Sequence, residues 1–380
     1  MILAVLQRRV WDLWQRSGFS IPAAPKPSER FLCLLPVCSL EEERCIHTTG
    51  PWTTSTAKWK KERSSFSSST ATDTLRRDLT RLSQMTSQSY QSLPEGDTVF
   101  KQAFKKYKKR SEKLDLEDVV DVRVSDASKG LVCRPVQYNR DINNIGIELR
   151  PLKEWSISTF DSRPGLFILS NIITEKGQVN LASKCLLQYA EPPNITNLTV
   201  DGSYKEANVF RNIANKLRWV TMGNDYDWTQ KVYDDKPRDK LPDEIVKFAD
   251  LVSNVLGLGS VAADAVIMNF YPAKATLSPH VDRSERSIEK PLISISLGQS
   301  AIYLTGGESL DDPVDPLLLH SGDVLVMHGK QRLVYHAVPR ILKLRTFPRS
   351  KEVDQDVLEY LNNCRVNVTI RQVDFVDDEK

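Results

Sequence analysis

Cysteine is sparse in this chain and carries no pattern. The six residues Cys33, Cys38, Cys45, Cys133, Cys185 and Cys364 are scattered without a single CxxC spacing. That excludes a disulfide scaffold and a zinc knuckle, and fits a reducing compartment. No stretch of 18 apolar residues occurs, so no membrane span is expected. Internal repeats are absent too. Histidine is scarcer still, with five residues in 380, yet four of them (His280, His320, His328 and His336) fall within one 57-residue stretch.

Charge is nearly balanced overall at +3, but it is not evenly placed. Residues 1–113 carry 20 Lys and Arg against 11 Asp and Glu, and the remainder carries 32 against 38. A basic front on a mildly acidic body points to targeting, nucleic-acid contact, or both. The first 20 residues place Arg8, Arg9 and Arg16 among Leu3, Leu6, Val10, Trp11, Leu13 and Trp14, with Asp12 as the single acid. This is the amphipathic, acid-poor character of a mitochondrial transit peptide, and an untargeted tail is the alternative. The expected location is the mitochondrion, the nucleus or both, with the cytoplasm also open.

Residues 51–92 are rich in Ser and Thr, show no sustained period and read as linker. Around Asp97 the pattern turns helical. Val99, Phe100, Ala103, Phe104 and Tyr107 form an apolar stripe, capped by Asp97 or Thr98. Between them stand Lys101, Lys105, Lys106, Lys108, Lys109 and Arg110. Charges of one sign on a helix suit phosphate contact, and a solvated face is the plainer reading. From about residue 151 the chain reads as globular, with a strand at 166–169 and a helix at 177–188. Short apolar runs follow at 265–270, 292–297, 301–304, 323–327 and 365–370, punctuated by Gly, Pro and Asp. The expected fold is α+β: a double-stranded β-helix (jelly-roll) catalytic core with flanking helices and a basic N-terminal extension. The expected divisions are 1–92 for the targeting extension, 93–150 for the basic helical extension and 151–376 for the catalytic domain.

The chemistry-bearing residues cluster late. His280 and Asp282 stand two apart, and on a strand that spacing puts both on one face. A second histidine downstream would complete two His and one carboxylate, an arrangement that leaves metal positions open and suits non-haem Fe(II). His336 is preferred as that third ligand, with His320 and His328 as competitors. It follows a Ser321-Gly322-Asp323 strand opening, a turn at Gly329, and Arg332. On the last apolar run Arg365, Asn367, Thr369 and Arg371 share one face. Such a row facing inward is costly unless it meets anions, and a dicarboxylate would supply them. A solvated edge strand is the alternative.

Together these residues resemble the AlkB family of nucleic-acid dioxygenases across roughly 205–373. The resemblance runs through Leu217-Arg218-Trp219-Val220-Thr221, Asn269-Phe270-Tyr271, His280-Val281-Asp282-Arg283-Ser284-Glu285 and Pro291 to Gly298. It continues through Ser321-Gly322-Asp323, Arg332, Tyr335-His336-Ala337-Val338-Pro339-Arg340 and the closing 365–372. The basic helix near Phe104, the HVDRSE segment and HAVPR are most similar to the homologue-one branch. The resemblance implies that His280, Asp282 and His336 bind Fe(II), with 2-oxoglutarate and dioxygen as cosubstrates. Asn269 and Tyr271 would hydrogen-bond the 2-oxoglutarate carboxylate region, Arg365 would pair its distal carboxylate, and Arg371 would lie near the metal-proximal one and Asp282. Ser294 and Asn367 would line the same pocket, while Trp219 and Tyr226 would form a lid over the substrate base. Lys105, Lys106, Lys108 and Lys109 would contact phosphates.

Two departures stand out. The bacterial repair enzyme carries an acid two positions after its iron aspartate, where this chain has Ser284. A basic residue expected after Gly306-Gly307 is replaced by Leu310 in an acidic loop with Asp311 and Asp312. The activity implied is oxidative demethylation of bases in nucleic acid, with tRNA favoured and DNA a rival. The 2-oxo acid leaves as succinate and carbon dioxide, and an N-hydroxymethyl product sheds formaldehyde. A histone or protein demethylase on the same metal site, and a non-catalytic nucleic-acid-binding scaffold, are the competing readings. A monomer is the expected state.

Overall fold

The seven residues Arg365–Arg371 show how the layers are built. Val366, Val368 and Ile370 point to one face and join the largest apolar cluster, with Val179, Phe248 and Leu361. Arg365, Asn367, Thr369 and Arg371 point to the other face and are just as buried. A strand buried on both faces must lie inside a sheet with layers on either side.

The computed structural model describes residues 96–374 except 111, 112, 125, 141, 143, 201, 203, 229, 235 and 236. By contacts the chain divides into two units, Met1–Ser83 and Gln84–Lys380, and the described residues all belong to the second. The Arg-rich segment at 1–20 and the linker at 51–92 lie outside the described residues.

The first eight strands are β1 (Val120–Asp121), β2 (Leu131–Pro135), β3 (Ser156–Phe160), β4 (Leu166–Leu169), β5 (Ile195–Thr196), β6 (Trp219–Gly223), β7 (Tyr226–Asp227) and β8 (Val232–Tyr233). The next eight are β9 (Ala265–Tyr271), β10 (Leu277–His280), β11 (Leu292–Gly298), β12 (Ser300–Thr305), β13 (Asp315–Leu319), β14 (Val324–Met327), β15 (His336–Leu342) and β16 (Arg365–Arg371). The longer helices are α1 (Val99–Lys108), α2 (Glu175–Leu187), α3 (Asp243–Val255) and α4 (Gln355–Asn363). The large sheet has the order β2-β3-β4-β14-β11-β16-β9-β6-β5, and the small one β1-β13-β12-β15-β10. Strands β7 and β8 form a separate hairpin. Every strand pairing is antiparallel except the parallel contact of β1 with β13.

Period-two alternation sorts side chains into three layers. Val266, Met268 and Phe270 of β9, with Ile293, Ile295 and Leu297 of β11, face α2, α3 and α4. Between the sheets lie Tyr271, Leu292, Ala301, Tyr303, Leu325, Met327 and Val338. On the far side of the small sheet, Ile302, Leu304, Ala337 and Leu342 meet α1. The fold is the double-stranded β-helix expected, with helices flanking both sheets. Helix α2 starts two residues earlier than its apolar pattern suggested, because Thr174 accepts a cap hydrogen bond from the Gly177 amide at 3.0 Å.

Helix α1 is anchored as its stripe requires. Thr98, not Asp97, is the N-cap, and Phe100, Phe104 and Tyr107 are buried. Asp97 instead pairs with Lys101 and Lys105. The acidic loop that replaces the expected basic residue serves this helix: the Leu310 carbonyl accepts from the Phe100 amide at 2.9 Å, and the Asp311 carboxylate from the Val99 amide at 3.3 Å. A carboxylate at a helix N-terminus satisfies orphan donors and suits the dipole. Phe100→Ala should therefore cost about 3–5 kcal/mol, the usual range for emptying a fully buried aromatic site. Denaturant unfolding checks this, and a loss below about 1 kcal/mol would show α1 to be a loosely held appendage.

Candidate active site

Strands β10 and β15 bring two histidines together. His280, the last residue of β10, is the direct partner of His336, the first of β15, and their rings lie 4.2 Å apart. A register shift between Leu277 and His280 sets this pairing. Asp282 lies just beyond the end of β10, so it is not on the strand that the alternation argument placed it on. It still reaches the same point: ligand atoms of His280, Asp282 and His336 all lie within 4.8 Å of one another. Among the described residues they form the one such group. His320 is held between Ser300 and Asp121, and His328 lies at the start of the 3-10 turn Gly329–Leu333.

The ring orientations suit metal binding. His280 Nδ1 faces the Ser278 carbonyl at 2.9 Å, and His336 Nδ1 faces the Val334 carbonyl at 3.3 Å. A carbonyl only accepts, so each Nδ1 carries the proton and each Nε2 keeps a lone pair for a metal. Burial, with the neighbouring His336, lowers the His280 pKa to about 4, so this ring is neutral at physiological pH. Burial works to raise the Asp282 carboxyl, but Arg371 and the two histidines outweigh it and hold the group well below the usual carboxylate range.

Deeper between the sheets sits Arg365, 2% exposed. Its Nη2 donates to Ser296 Oγ at 3.0 Å, and the guanidinium lies over the Tyr271 ring at 5.2 Å. Its Nε and Nη1 have no hydrogen-bond partner. A buried guanidinium with two unsatisfied donors and no carboxylate beside it calls for an anion. The cavity it shares with the triad is lined by Asn269, Tyr271, Ser294, Tyr303, Asn367 and Thr369. One end therefore offers a cation and the other a metal-ligand set, which fits a dicarboxylate chelating iron. Asn367 is internally satisfied, donating to Ser294 Oγ at 2.7 Å and to the Ile295 carbonyl at 2.9 Å. It shapes the wall alongside its strand neighbours. Strand β16 lies between β11 and β9, which removes the solvated-edge alternative.

Arg371, by contrast, has hydrogen-bond partners at both Nη atoms, while its Nε has an ion-pair neighbour without an aligned hydrogen bond. Nη2 donates to Asp282 Oδ2 at 3.0 Å, Nη1 to the Tyr233 hydroxyl, and Nε lies 3.2 Å from Glu285 Oε1. Glu285 in turn approaches Arg332 at 2.8 Å, off the line of a good hydrogen bond. Glu285 and Arg332 stood among the motifs of the resemblance but were given no role, and nothing local to either shows that the two meet.

An outer cleft of about 460 Å³ opens from His280 and Asp282 to the surface. Tyr226, Trp228, Tyr233, Lys231 and Ser284 contribute to its walls. Tyr226, expected in the lid, lines this cleft, and its hydroxyl lies 3.2 Å from Ser284 Oγ. Trp219 does not line the cleft. Its ring packs tilted against that of Trp228, with centroids 4.8 Å apart; Trp228 does line the cleft and is 42% exposed. The aromatic run from Tyr226 through Trp228 to Tyr233 was the available clue. The α1 lysines face solvent on the far side of β15, but Lys105 is paired with Asp97 and Lys106 with Asp118. Lys108 lies over the Phe104 ring at 5.4 Å, and the Lys109 carbonyl accepts from Arg340 at 2.7 Å.

Residues 165–371 match the 2OG-Fe(II) oxygenase superfamily. The nucleic acid dioxygenase ALKBH1 of Homo sapiens is 30% identical over 328 residues, covering 73% of this chain and 84% of its own length. The tRNA demethylase abh1 of Schizosaccharomyces pombe is 34% identical over 256 residues, covering 60% and 83%. The DNA N(6)-methyladenine demethylase ALKBH1A of Arabidopsis thaliana is 27% identical over 340 residues, covering 73% and 96%. With the triad and the orphaned Arg365 in place, the chain belongs to the AlkB homologue-one branch of the 2OG-Fe(II) oxygenase superfamily and is an Fe(II)- and 2-oxoglutarate-dependent dioxygenase.

Proposed function

We propose that this enzyme oxidatively demethylates bases in nucleic acid, with tRNA the favoured substrate and DNA the rival. The observation that carries the reading is the aromatic cleft: Tyr226, Trp228 and Tyr233 wall a cleft that reaches from the surface to His280 and Asp282. A base extruded from its stack needs flat faces on which to lie, and indole and phenol rings supply them. The relatives named for tRNA and DNA demethylation support the substrate class.

In this reading His280, Asp282 and His336 hold the iron. Arg365 takes the distal carboxylate of 2-oxoglutarate with the two donors that otherwise lack a partner, and Asn269 and Tyr271 border the bound molecule. Bound Fe(II) and 2-oxoglutarate would activate dioxygen, the oxidant that replaces a methyl hydrogen with hydroxyl while the 2-oxo acid leaves as succinate and carbon dioxide. The protein supplies position: Arg371 fixes Asp282, the Ser278 and Val334 carbonyls fix the two imidazoles, and the apolar wall of Leu292, Leu325 and Met327 excludes water. Ser284, bonded to Tyr226, holds the lid instead of reading the base with a carboxylate.

Methylated tRNA, methylated DNA and methylated histone peptide, offered in one assay, separate the readings. Loss of methyl groups from nucleic acid is expected, and loss from the peptide alone would overturn the proposal. Trp228→Ala should weaken nucleic-acid binding by about 1–3 kcal/mol, the worth of one stacked base, with 2-oxoglutarate affinity unchanged. Unaltered nucleic-acid affinity in that variant would remove the aromatic wall from substrate binding.

The basic helix is assigned a positioning role toward phosphates. Charge reversal of Lys105, Lys106, Lys108 and Lys109 together should weaken RNA and DNA binding alike and flatten the salt dependence. The ion pairs to Asp97 and Asp118 that it breaks are exposed, so stability should hardly change. An unchanged salt slope would make α1 a solvated face only.

A further inference from the structure

Behind the metal-ligating side chains runs a line of charges alternating in sign. Asp282 meets Arg371 at 3.0 Å, Arg371 meets Glu285 at 3.2 Å, and Glu285 meets Arg332 at 2.8 Å. The inner pair is all but sealed, with side-chain exposures of 2% for Arg332 and 1% for Glu285. Arg332 is pinned further by donating to the Lys290 carbonyl at 2.8 Å. Each member enters from a different part of the site. Glu285 follows Asp282 by three residues, Arg332 precedes His336 by four, and Arg371 closes β16, the strand that Arg365 opens.

Stability does not explain the inner pair. A buried ion pair of this kind is commonly no better for stability than apolar side chains of similar volume. Its off-line geometry, with Arg332 Nη2 and Glu285 Oε2 lacking a well-aligned hydrogen bond, makes it a poorer structural contact still. What it does supply is local charge. Arg371 alone would set a full positive charge against the carboxylate that must bind a divalent cation. The inner pair adds no net charge, but with Glu285 present Arg371 is shared between two carboxylates instead of drawing on Asp282 alone.

We propose that Glu285 is a positioning residue for the metal that acts through Arg371: it offsets the guanidinium's charge so that Asp282 keeps its donor strength, while the charge of Arg332 partly offsets that of Glu285. This rests on His280, Asp282 and His336 being the metal site. Charge balance and mere packing make opposite predictions. If Glu285 acts by charge, removing it and removing Arg332 have effects of opposite sign. If the pair only packs, both removals damage the site.

The test is titration of the full-length protein with Mn2+ alone, followed by calorimetry, beside the melting temperature of each metal-free variant. Glu285→Gln should weaken Mn2+ binding by about 10–100-fold, the range for a partner that orients a metal ligand. Arg332→Gln should bind Mn2+ as tightly as the parent or more tightly. The double variant Glu285→Gln with Arg332→Gln restores neutrality and should recover most of the loss. At saturating Mn2+, Glu285→Gln should bind the anion 2-oxoglutarate no more weakly than the parent. Weakening in all three variants in step with lowered melting temperature would overturn the proposal, as would parental Mn2+ affinity in Glu285→Gln. If Glu285→Gln does not fold, Arg332→Gln and the double variant still decide the sign. Failure of the parent itself to bind Mn2+ would instead strike the metal assignment beneath it.

Discussion

His336→Ala should lose turnover to background while its metal-free melting temperature stays close to the parent's. The imidazole is one of three protein ligands, and its Nδ1 contact to the Val334 carbonyl is long at 3.3 Å, so little of the fold depends on it. His280→Ala and Asp282→Ala should behave alike toward the metal. Asp282→Ala should also destabilise, because it strips Arg371 of its best-aligned carboxylate partner deep between the sheets. The controls are His320→Ala and His328→Ala, which should keep turnover because their rings lie outside the ligand cluster. Activity in His336→Ala, or its loss in His328→Ala, would show the metal to be elsewhere. Methyl release from a methylated oligonucleotide and metal content by atomic absorption are the two readouts.

Arg365→Ala should weaken 2-oxoglutarate binding by about 2–5 kcal/mol, the cost of removing one partner from a buried charge-assisted pair. Metal binding should be spared, since Arg365 contacts Ser296 and Tyr271 and none of the three ligands. The same residue predicts a second effect. In the parent, 2-oxoglutarate should raise the melting temperature, because a ligand that binds only the folded form stabilises it by mass action. In Arg365→Ala that rise should vanish at the same concentration. Calorimetric affinity equal to the parent's would take Arg365 out of the cosubstrate site.

Which parts of this were legible in the sequence follows from what periodicity encodes. Alternation along 365–371 correctly put Arg365 and Arg371 on one face with Asn367 and Thr369, because a strand's two faces are fixed by parity. Parity says nothing about which charges meet. By parity Arg365 and Arg371 are equivalent, and only the resemblance put Arg371 near Asp282; in the fold Arg371 lies among Asp282, Glu285 and Tyr233, while two donors of Arg365 have no protein partner. The spacing of His280 and Asp282 pointed to two side chains that do cluster with His336, but through a strand geometry that Asp282 does not have, since β10 stops at His280. Trp219 was singled out from its motif and Trp228 was not. Their packing depends on how the β7–β8 hairpin lies over β6, which no local pattern records. The acidic loop at 308–312 stood out only as a departure from the family's pattern. Its partners are the amides at the start of α1, more than 200 residues earlier in the chain. The lysines of α1 were visible as a run of one sign, but the acids that pair with Lys105 and Lys106 were not.

The central claim is that His280, Asp282 and His336 hold one metal ion and that Arg365 holds the far end of 2-oxoglutarate beside it. Anomalous diffraction from crystals grown with Mn2+ and 2-oxoglutarate measures both at once. The account predicts a single strong anomalous peak bonded to His280 Nε2, His336 Nε2 and a carboxylate oxygen of Asp282, with the 2-oxoglutarate distal carboxylate on Arg365 Nε and Nη1. A peak at His320 or His328, or 2-oxoglutarate bound away from Arg365, would contradict it.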